Sequence, residues 1–340
     1  MALSASILLS GCGFQSKAQT SGPTTDATVD ASSVDDSPLG VSVCWTISDE
    51  ANNAHWSVCT TALVPSIDVT GTLSIDTDGG DSSPPGHRCA PLGDGSQDVC
   101  ALAAGSITIE MAAVLSAHGT KPLALLGHTI DIQGTIDVAS HIHGQRGPAA
   151  VDDCNPNPTL AKAGGGGAGG TFGLAGGKGG NQGGVASSGG PPGSSESDTV
   201  LRGGCDGRRG GNGSTDGGPD GVGGAGGGAV WISSDMSMLK LGDRAVINAS
   251  GASGSGATED GHGGHGGGSG GMIVLQSATI TSNANAQIFA NGGHGGGGAA
   301  NGTPGGDGTD PTDPNSGGGG GRGPSAAPMH GDGGSGFPAT

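Results

Sequence analysis

One apolar phrase of alternating residues recurs along this chain, and its recurrence limits the possible folds more than any other feature. It reads Ile67-Asp-Val-Thr-Gly-Thr-Leu-Ser-Ile75, returns between Ile107 and Gly119, appears as Ile130-Asp-Ile-Gln-Gly-Thr-Ile-Asp-Val138, and returns again at Leu239 to Gly251 and Ile280 to Gly292. Apolar side chains take every second position, which is the period of a strand with two unlike faces. A further apolar stretch precedes the phrase at 101–104, 123–126, 229–232 and 272–275. Counted from there, the units 100–119, 122–141, 229–251 and 272–292 each hold three short strands, with Gly105, Gly119, Gly127, Gly134, Gly242 and Gly251 at corners. Self-similarity at one unit length predicts an all-β solenoid, each unit covering the apolar face of the last. A β-sandwich also uses evenly spaced short strands with Gly turns and is the alternative.

The composition suits a narrow core, because the 340 residues include no Tyr, four Phe and three Trp. Without large aromatics a broad globular interior is hard to fill. The pattern resembles right-handed parallel β-helices, and that resemblance implies inward aliphatic ladders that need no aromatic bulk. Thirty acidic against twelve basic residues give a formal charge of -18, which repels phosphate backbones and argues against a nucleic-acid partner. Phosphate-loop lysine motifs are absent, so neither a nucleotide nor a cofactor is expected.

Sixty-two of the 78 glycines follow residue 160, nearly all of them in segments spanning 142–228, 252–271 and 293–340. They are periodic. Gly164, Gly167, Gly170, Gly173, Gly176 and Gly179 keep a spacing of three, as do Gly218, Gly221, Gly224 and Gly227, and Gly261, Gly264, Gly267 and Gly270. Three residues per turn is the period of an extended left-handed helix of the polyproline type. Collagen fits poorly, since Pro is nearly absent from these frames. The frames resemble the bundled polyglycine helices of certain Gly-rich antifreeze proteins, which implies insertions of polyglycine II type. The competing expectation is disorder, because ordering Gly costs the most backbone entropy.

At the N-terminus, Ala2-Leu-Ser-Ala-Ser-Ile-Leu-Leu-Ser-Gly-Cys12 is an apolar run ending in small residues and Cys. Leu9-Ser10-Gly11-Cys12 resembles the lipobox of bacterial lipoproteins, and the resemblance implies cleavage before Cys12 and acylation of its thiol. No Lys or Arg precedes the run, and it is short for a signal peptide. An apolar strand with a buried Cys12 is the other reading. The organisation expected is a signal peptide at 1–11, a polar tether at 12–40, a Cys-rich cap and first coil at 41–99, coils at 100–141, a Gly-rich insertion at 142–228, coils with a Gly-rich loop at 229–292, and a Gly-rich tail at 293–340. No stretch reaches the roughly 18 apolar residues of a membrane span, so the membrane is reached through the lipid anchor alone.

Six further cysteines, Cys44, Cys59, Cys89, Cys100, Cys154 and Cys205, form an even set in a chain that reads as exported, which predicts disulfides. Sequential pairing would join Cys44 to Cys59, Cys89 to Cys100 and Cys154 to Cys205. Paired zinc spacings such as C-x2-C do not occur.

Several motifs suggest chemistry but each has a plainer explanation. Asp260-Gly-His262-Gly-Gly-His265, with His294 beyond, offers imidazoles for a metal, yet His in the variable position of a Gly triplet explains the spacing. Gly305-Gly-Asp307-Gly-Thr-Asp310-Pro-Thr-Asp313 follows a Ca2+-binding β-roll repeat in a single copy, and that mechanism needs tandem copies. The G-x-S-x-G around Ser269 lacks the strand-then-helix setting of a nucleophile elbow. Some β-helices resemble pectate lyases, which would assign Asp131 and Asp137 as acids and Arg244 or Lys240 as the base. Trp45, Trp56 and Trp231 are candidates for sugar stacking, although Trp45 and Trp56 adjoin Cys44 and Cys59. As a whole the sequence resembles Gly-rich outer-membrane lipoproteins of predatory soil bacteria. That resemblance implies a structural or adhesive cell-envelope module without catalytic residues, and the alternative is a polysaccharide-binding or polysaccharide-cleaving β-helix.

Overall fold

The computed structural model describes residues 5–10, 43–49, 54–60, 63–79, 87–88, 98–152, 154, 161–162, 164–173, 175–183, 189–191, 193, 200–212, 222–315, 321, 323 and 331–335. In chain order the strands are β1 (Ala5–Ser10), β2 (Val43–Asp49), β3 (Ala54–Thr60), β4 (Val64–Val69), β5 (Thr72–Asp76), β6 (His87–Arg88), β7 (Cys100–Ile109) and β8 (Val114–His118). They continue as β9 (Leu123–Ile132), β10 (Thr135–Asp137), β11 (Ala229–Leu241), β12 (Val246–Asn248), β13 (Met272–Ser277), β14 (Ile280–Ser282) and β15 (Gln287–Phe289). The described residues are all-β and include no helix.

The recurring phrases become rungs of two parallel ladders. In one, β4, β7, β9, β11 and β13 lie side by side, with β14 pairing the far half of β11. The other runs β5, β8, β10, β12 and β15. Equivalent positions in the phrases are direct partners: Ile67 faces Ile107, Ile107 faces Ile130, Ile130 faces Leu239, and Leu239 faces Ile280. Aliphatic side chains therefore stack on themselves at the interstrand spacing of about 4.8 Å. Strand alternation divides the core in two. Cys100, Leu102 and Ala104 join the aliphatic cluster between the ladders, together with Leu125, Ile136, Ile232 and Ile247. Ala101 and Ala103 turn the other way, into a second cluster with Leu126, Trp231, Val274 and Phe172.

The β2–β3 hairpin lies on that second side, where Trp45 and Val58 join the cluster. Cys44 and Cys59 are directly opposed in its antiparallel register and are disulfide-bonded, so this bridge staples a regular hairpin instead of an irregular segment. Cys154 is bonded to Cys205. Cys100 is also disulfide-bonded, and Cys89 lies outside the described residues. At the far edge of the first ladder, β1 pairs antiparallel with β13, from Ala5 opposite Ser277 to Ser10 opposite Met272.

The second ladder does not stop where its strands end. Val138 donates to the Asn248 carbonyl and Ala249 to that of Phe289; Gly251, Gly254 and Ala257 then donate to Asn291, His294 and Gly297. The bonding period thereby passes from two residues to three as the chain enters the Gly segments. From there those segments bond to one another in the same way. Gly167 and Gly170 donate to Gly264 and Gly267; Gly224 and Gly227 donate to Gly266 and Ser269; His265, Gly268 and Gly271 donate to Ser255, Ala252 and Ala249, all at 2.8–3.1 Å.

The approach is too close for any side chain. A Cβ on Gly266 would lie 1.9 Å from the Ala168 carbonyl oxygen, one on Gly267 2.2 Å from that of Gly293, and one on Gly268 2.1 Å from that of Ala225. Three consecutive residues thus meet three different neighbouring backbones. Main-chain hydrogen bonds, each contributing roughly 0.5–1.5 kcal/mol net, offset the entropy lost in ordering the glycines.

Candidate functional site

The charged side chains gather at the seam between the strand ladders and the Gly segments. β10 ends at Asp137, and the turn beyond it brings His141 back, with Gly144 donating to the His141 carbonyl. His141 Nε2 lies 3.1 Å from Asp137 Oδ2, and its Nδ1 lies 3.7 Å from Asp310 Oδ2. His143 Nε2 meets Asp307 Oδ2 at 3.0 Å, from a left-handed backbone (φ 56°) that a non-Gly residue seldom adopts. The same two aspartates accept main-chain N–H bonds: Asp310 from Ser253 at 2.7 Å and Ile142 at 2.8 Å, and Asp307 from Gly256 at 2.8 Å.

Asp307 and Asp310 are three residues apart, as are Ser253 and Gly256. The two segments therefore meet at a matching interval of three residues, and each carboxylate clasps one amide of the 253–256 stretch. The carboxylates of Asp137 and Asp310, which accept from the imidazole, raise the His141 pKa to about 10. Burial alone would raise both Asp307 and Asp310. The bonds from His143 and Gly256, and from His141, Ser253 and Ile142, outweigh it and hold both carboxyls below the ordinary value.

A second anchor lies on the other side of the turn. Arg146 donates from both terminal nitrogens to Asp206, at 3.1 and 3.0 Å, and also pairs with Asp152. Asp206 accepts the Gly226 amide as well, at 2.9 Å. Burial is the largest influence on Asp206 and pushes its pKa up to about 6 despite the arginine.

The sequence candidates are dispersed over this scaffold. His262 and His265 are three residues apart on an extended segment, a separation of about 9 Å at roughly 3.1 Å per residue. His262 lies 3.7 Å from Glu259, whereas His265 is 2 % exposed and accepts the Gly210 amide through Nδ1. His265 therefore occupies its triplet position as an interior strut and not as a solvent-facing variable residue. His294 is buried, with Nδ1 2.7 Å from the Thr309 carbonyl. Among the described residues, no three His, Cys, Asp or Glu are placed to hold a metal ion. Ser269 is buried, and its hydroxyl accepts the Cys205 amide at 2.8 Å.

The lyase candidates are divided between ladders. Lys240 is the rung partner of Asp131 and pairs with it at 2.8 Å, Asp137 belongs to the His141 cluster, and Arg244 is exposed on the turn after β11. Asp313 offers its main-chain carbonyl to Asn291 at 3.0 Å. Trp45 and Trp231 are buried in the second core, away from any sugar, while the side chain of Trp56 and all of Cys12 lie outside the described residues.

The residues that gather the seam, His141, His143, Arg146 and Asp206, carry no motif. Asp307 and Asp310 stood out in the sequence only as part of a single-copy Ca2+ repeat, which does not point to these partners. No family model matches the chain, and no curated protein or solved structure matches it.

Proposed function

We propose that this chain is a non-catalytic surface lipoprotein of the bacterial outer membrane, serving a structural or adhesive role. Its framework is a parallel β-helix-like solenoid, and its Gly excursions form a bundle of polyglycine II type held out from the coils. The observation that supports this reading is the unbroken hydrogen-bond ladder from β10, β12 and β15 into Gly251, Gly254 and Ala257. Such continuity makes bundle and coils one stiff body, as suits a display platform. The ion pairs at the seam lock segments together, and the exposed acidic surface keeps the platform soluble. In this reading cleavage before Cys12 removes β1 and leaves β13 at the ladder edge, Cys12 carries the lipid anchor, and extracellular polysaccharide or neighbouring cell surfaces are the expected partners.

Fractionation of cells producing the Cys12→Ser chain tests the anchor: the protein should move from the membrane to the soluble fraction, and unchanged partitioning would refute it. Circular dichroism of the purified chain should combine strand and polyproline-like signals, and substantial helix would refute the architecture.

A further inference from the structure

We infer that the bundle contains a peptide-binding slot for an extended Gly-x-Gly-Gly segment, filled here by Gly331-Asp-Gly-Gly-Ser335 and able to take the same segment from a second copy of the chain. The inference rests on the bundle reading above. Residues 331–335 make seven main-chain hydrogen bonds with four separate stretches. Gly331 and Gly334 donate to Gly164 and Gly167, and Gly333 donates to Gly296. In return Gly264, Gly180, Gly267 and Gly177 donate to the carbonyls of Gly331, Asp332, Gly334 and Ser335, with all seven bonds at 2.7–3.1 Å. Asp332 adds a carboxylate that accepts the Gly298 amide at 3.3 Å and the Gly323 amide at 3.1 Å.

Recognition is set by absence of side chains at three positions. A Cβ on Gly331 would lie 2.1 Å from the Gly180 oxygen, one on Gly333 1.9 Å from that of His265, and one on Gly334 2.4 Å from that of Gly177. Asp332 is exposed, so the second position admits a side chain, and the two amides its carboxylate meets favour an acid there. The slot walls are equally exacting: the three nearest atoms to a Cβ on Gly295 all belong to Gly333, at 2.0, 2.2 and 2.8 Å. Without an occupant, the amides of Gly177, Gly180, Gly264 and Gly267 would lose their acceptors; Gly264 and Gly267 are buried, and buried unpaired N–H groups are costly. Because every bond is to backbone, an identical segment from a neighbour satisfies the slot equally well, which is the condition for exchange between copies.

Two full-length variants test this. Gly333→Val bars the segment from its own slot and leaves the slot open, whereas Gly295→Val fills the slot and leaves the segment free. Each alone should sediment as a monomer, and mixing them should produce a one-to-one heterodimer with twice the mass. A mixture that stays monomeric overturns the inference.

Hydrogen exchange on the wild-type chain provides a check that needs no variant. The amides of Gly177, Gly180, Gly264 and Gly267 should exchange at one common rate, as a single element opens. Rates spread over more than tenfold overturn the slot. Protection at Gly224 and Gly268, whose acceptors lie elsewhere in the bundle, reports on the bundle itself; its loss would sink that underlying reading and the slot with it.

Discussion

Replacing Gly266 with Ala introduces one methyl group where neighbouring backbones are in close contact. Its Cβ would sit 1.9 Å from the Ala168 oxygen and 2.4 Å from the Ala168 carbonyl carbon. An unstrained contact needs about 3.5 Å, so the segments at 168 and 266 must part by about 1.5 Å. Three hydrogen bonds span that junction: Gly266 to the Arg208 carbonyl at 2.8 Å, Gly224 to that of Gly266 at 2.8 Å, and Arg208 to that of Ala168 at 2.7 Å. A separation of that size breaks them. Each contributes roughly 0.5–1.5 kcal/mol, and each buried donor left unpaired costs about 1–3 kcal/mol.

Opposing this, Ala lowers the entropy of the unfolded chain and contributes about 0.4–1 kcal/mol of stability. Gly224 and Gly266 are the buried donors and Arg208 is half-buried, so the net expectation is a loss of about 1.5–7 kcal/mol. Gly71→Ala is the control, because nothing lies within 4 Å of a Cβ there and its φ is outside the left-handed region. That variant should change stability by less than about 1 kcal/mol. Urea denaturation of both variants, followed by far-ultraviolet dichroism, measures the difference. Equal stability of Gly266→Ala and Gly71→Ala would refute the close-packed bundle.

The seam should respond to pH from both directions. Asp307 and Asp310, with lowered pKa values, contribute stability that is present above about 3.9 and lost as pH falls through their folded values. His141, raised to about 10, contributes stability that is full below about 6.5 and lost as pH rises towards that value. Protection factors of the Ser253 and Gly256 amides should therefore peak between about pH 4 and 6.5. Constant protection from acid to alkaline pH would contradict the clasp. Cys154 and Cys205 are 51 residues apart, so their bond restricts the unfolded chain by about 4 kcal/mol in the loop-entropy model. The double Cys154→Ser, Cys205→Ser variant should unfold at clearly lower urea, while a shift below about 1 kcal/mol would show that the bridge constrains little.

Much of the scaffold was legible because short-range rules govern it. The alternation Ile130, Ile132, Ile136 and Val138 marked strands, and recurrence of that phrase matched residues that became rung partners. The triplet Gly frames marked the period at which the segments bond. Gly164 and Gly167 belong to one such frame, Gly264 and Gly267 to another, and the structure joins both to Gly331 and Gly334. The seam was less legible. His141 and His143 meet Asp310 and Asp307 across more than 160 residues of chain, and nothing local to either pair signals the other. Trp231 was a candidate for sugar stacking, but it is fully buried in the second core, in one cluster with Phe172 from a Gly-rich stretch.

The sequence by itself determined the two periods, two residues in the strands and three in the Gly segments, because each period follows from how one backbone repeats. Which segments lie together was decided only by tertiary structure. A Gly-rich segment carries almost no side-chain label, so its partners are chosen by where the strand ladders release it and by which neighbouring carbonyls remain unpaired. The same holds for Asp307 and Asp310: their spacing is written in the chain, but their role as a clasp exists only where Ser253, Gly256, His141 and His143 come to meet them.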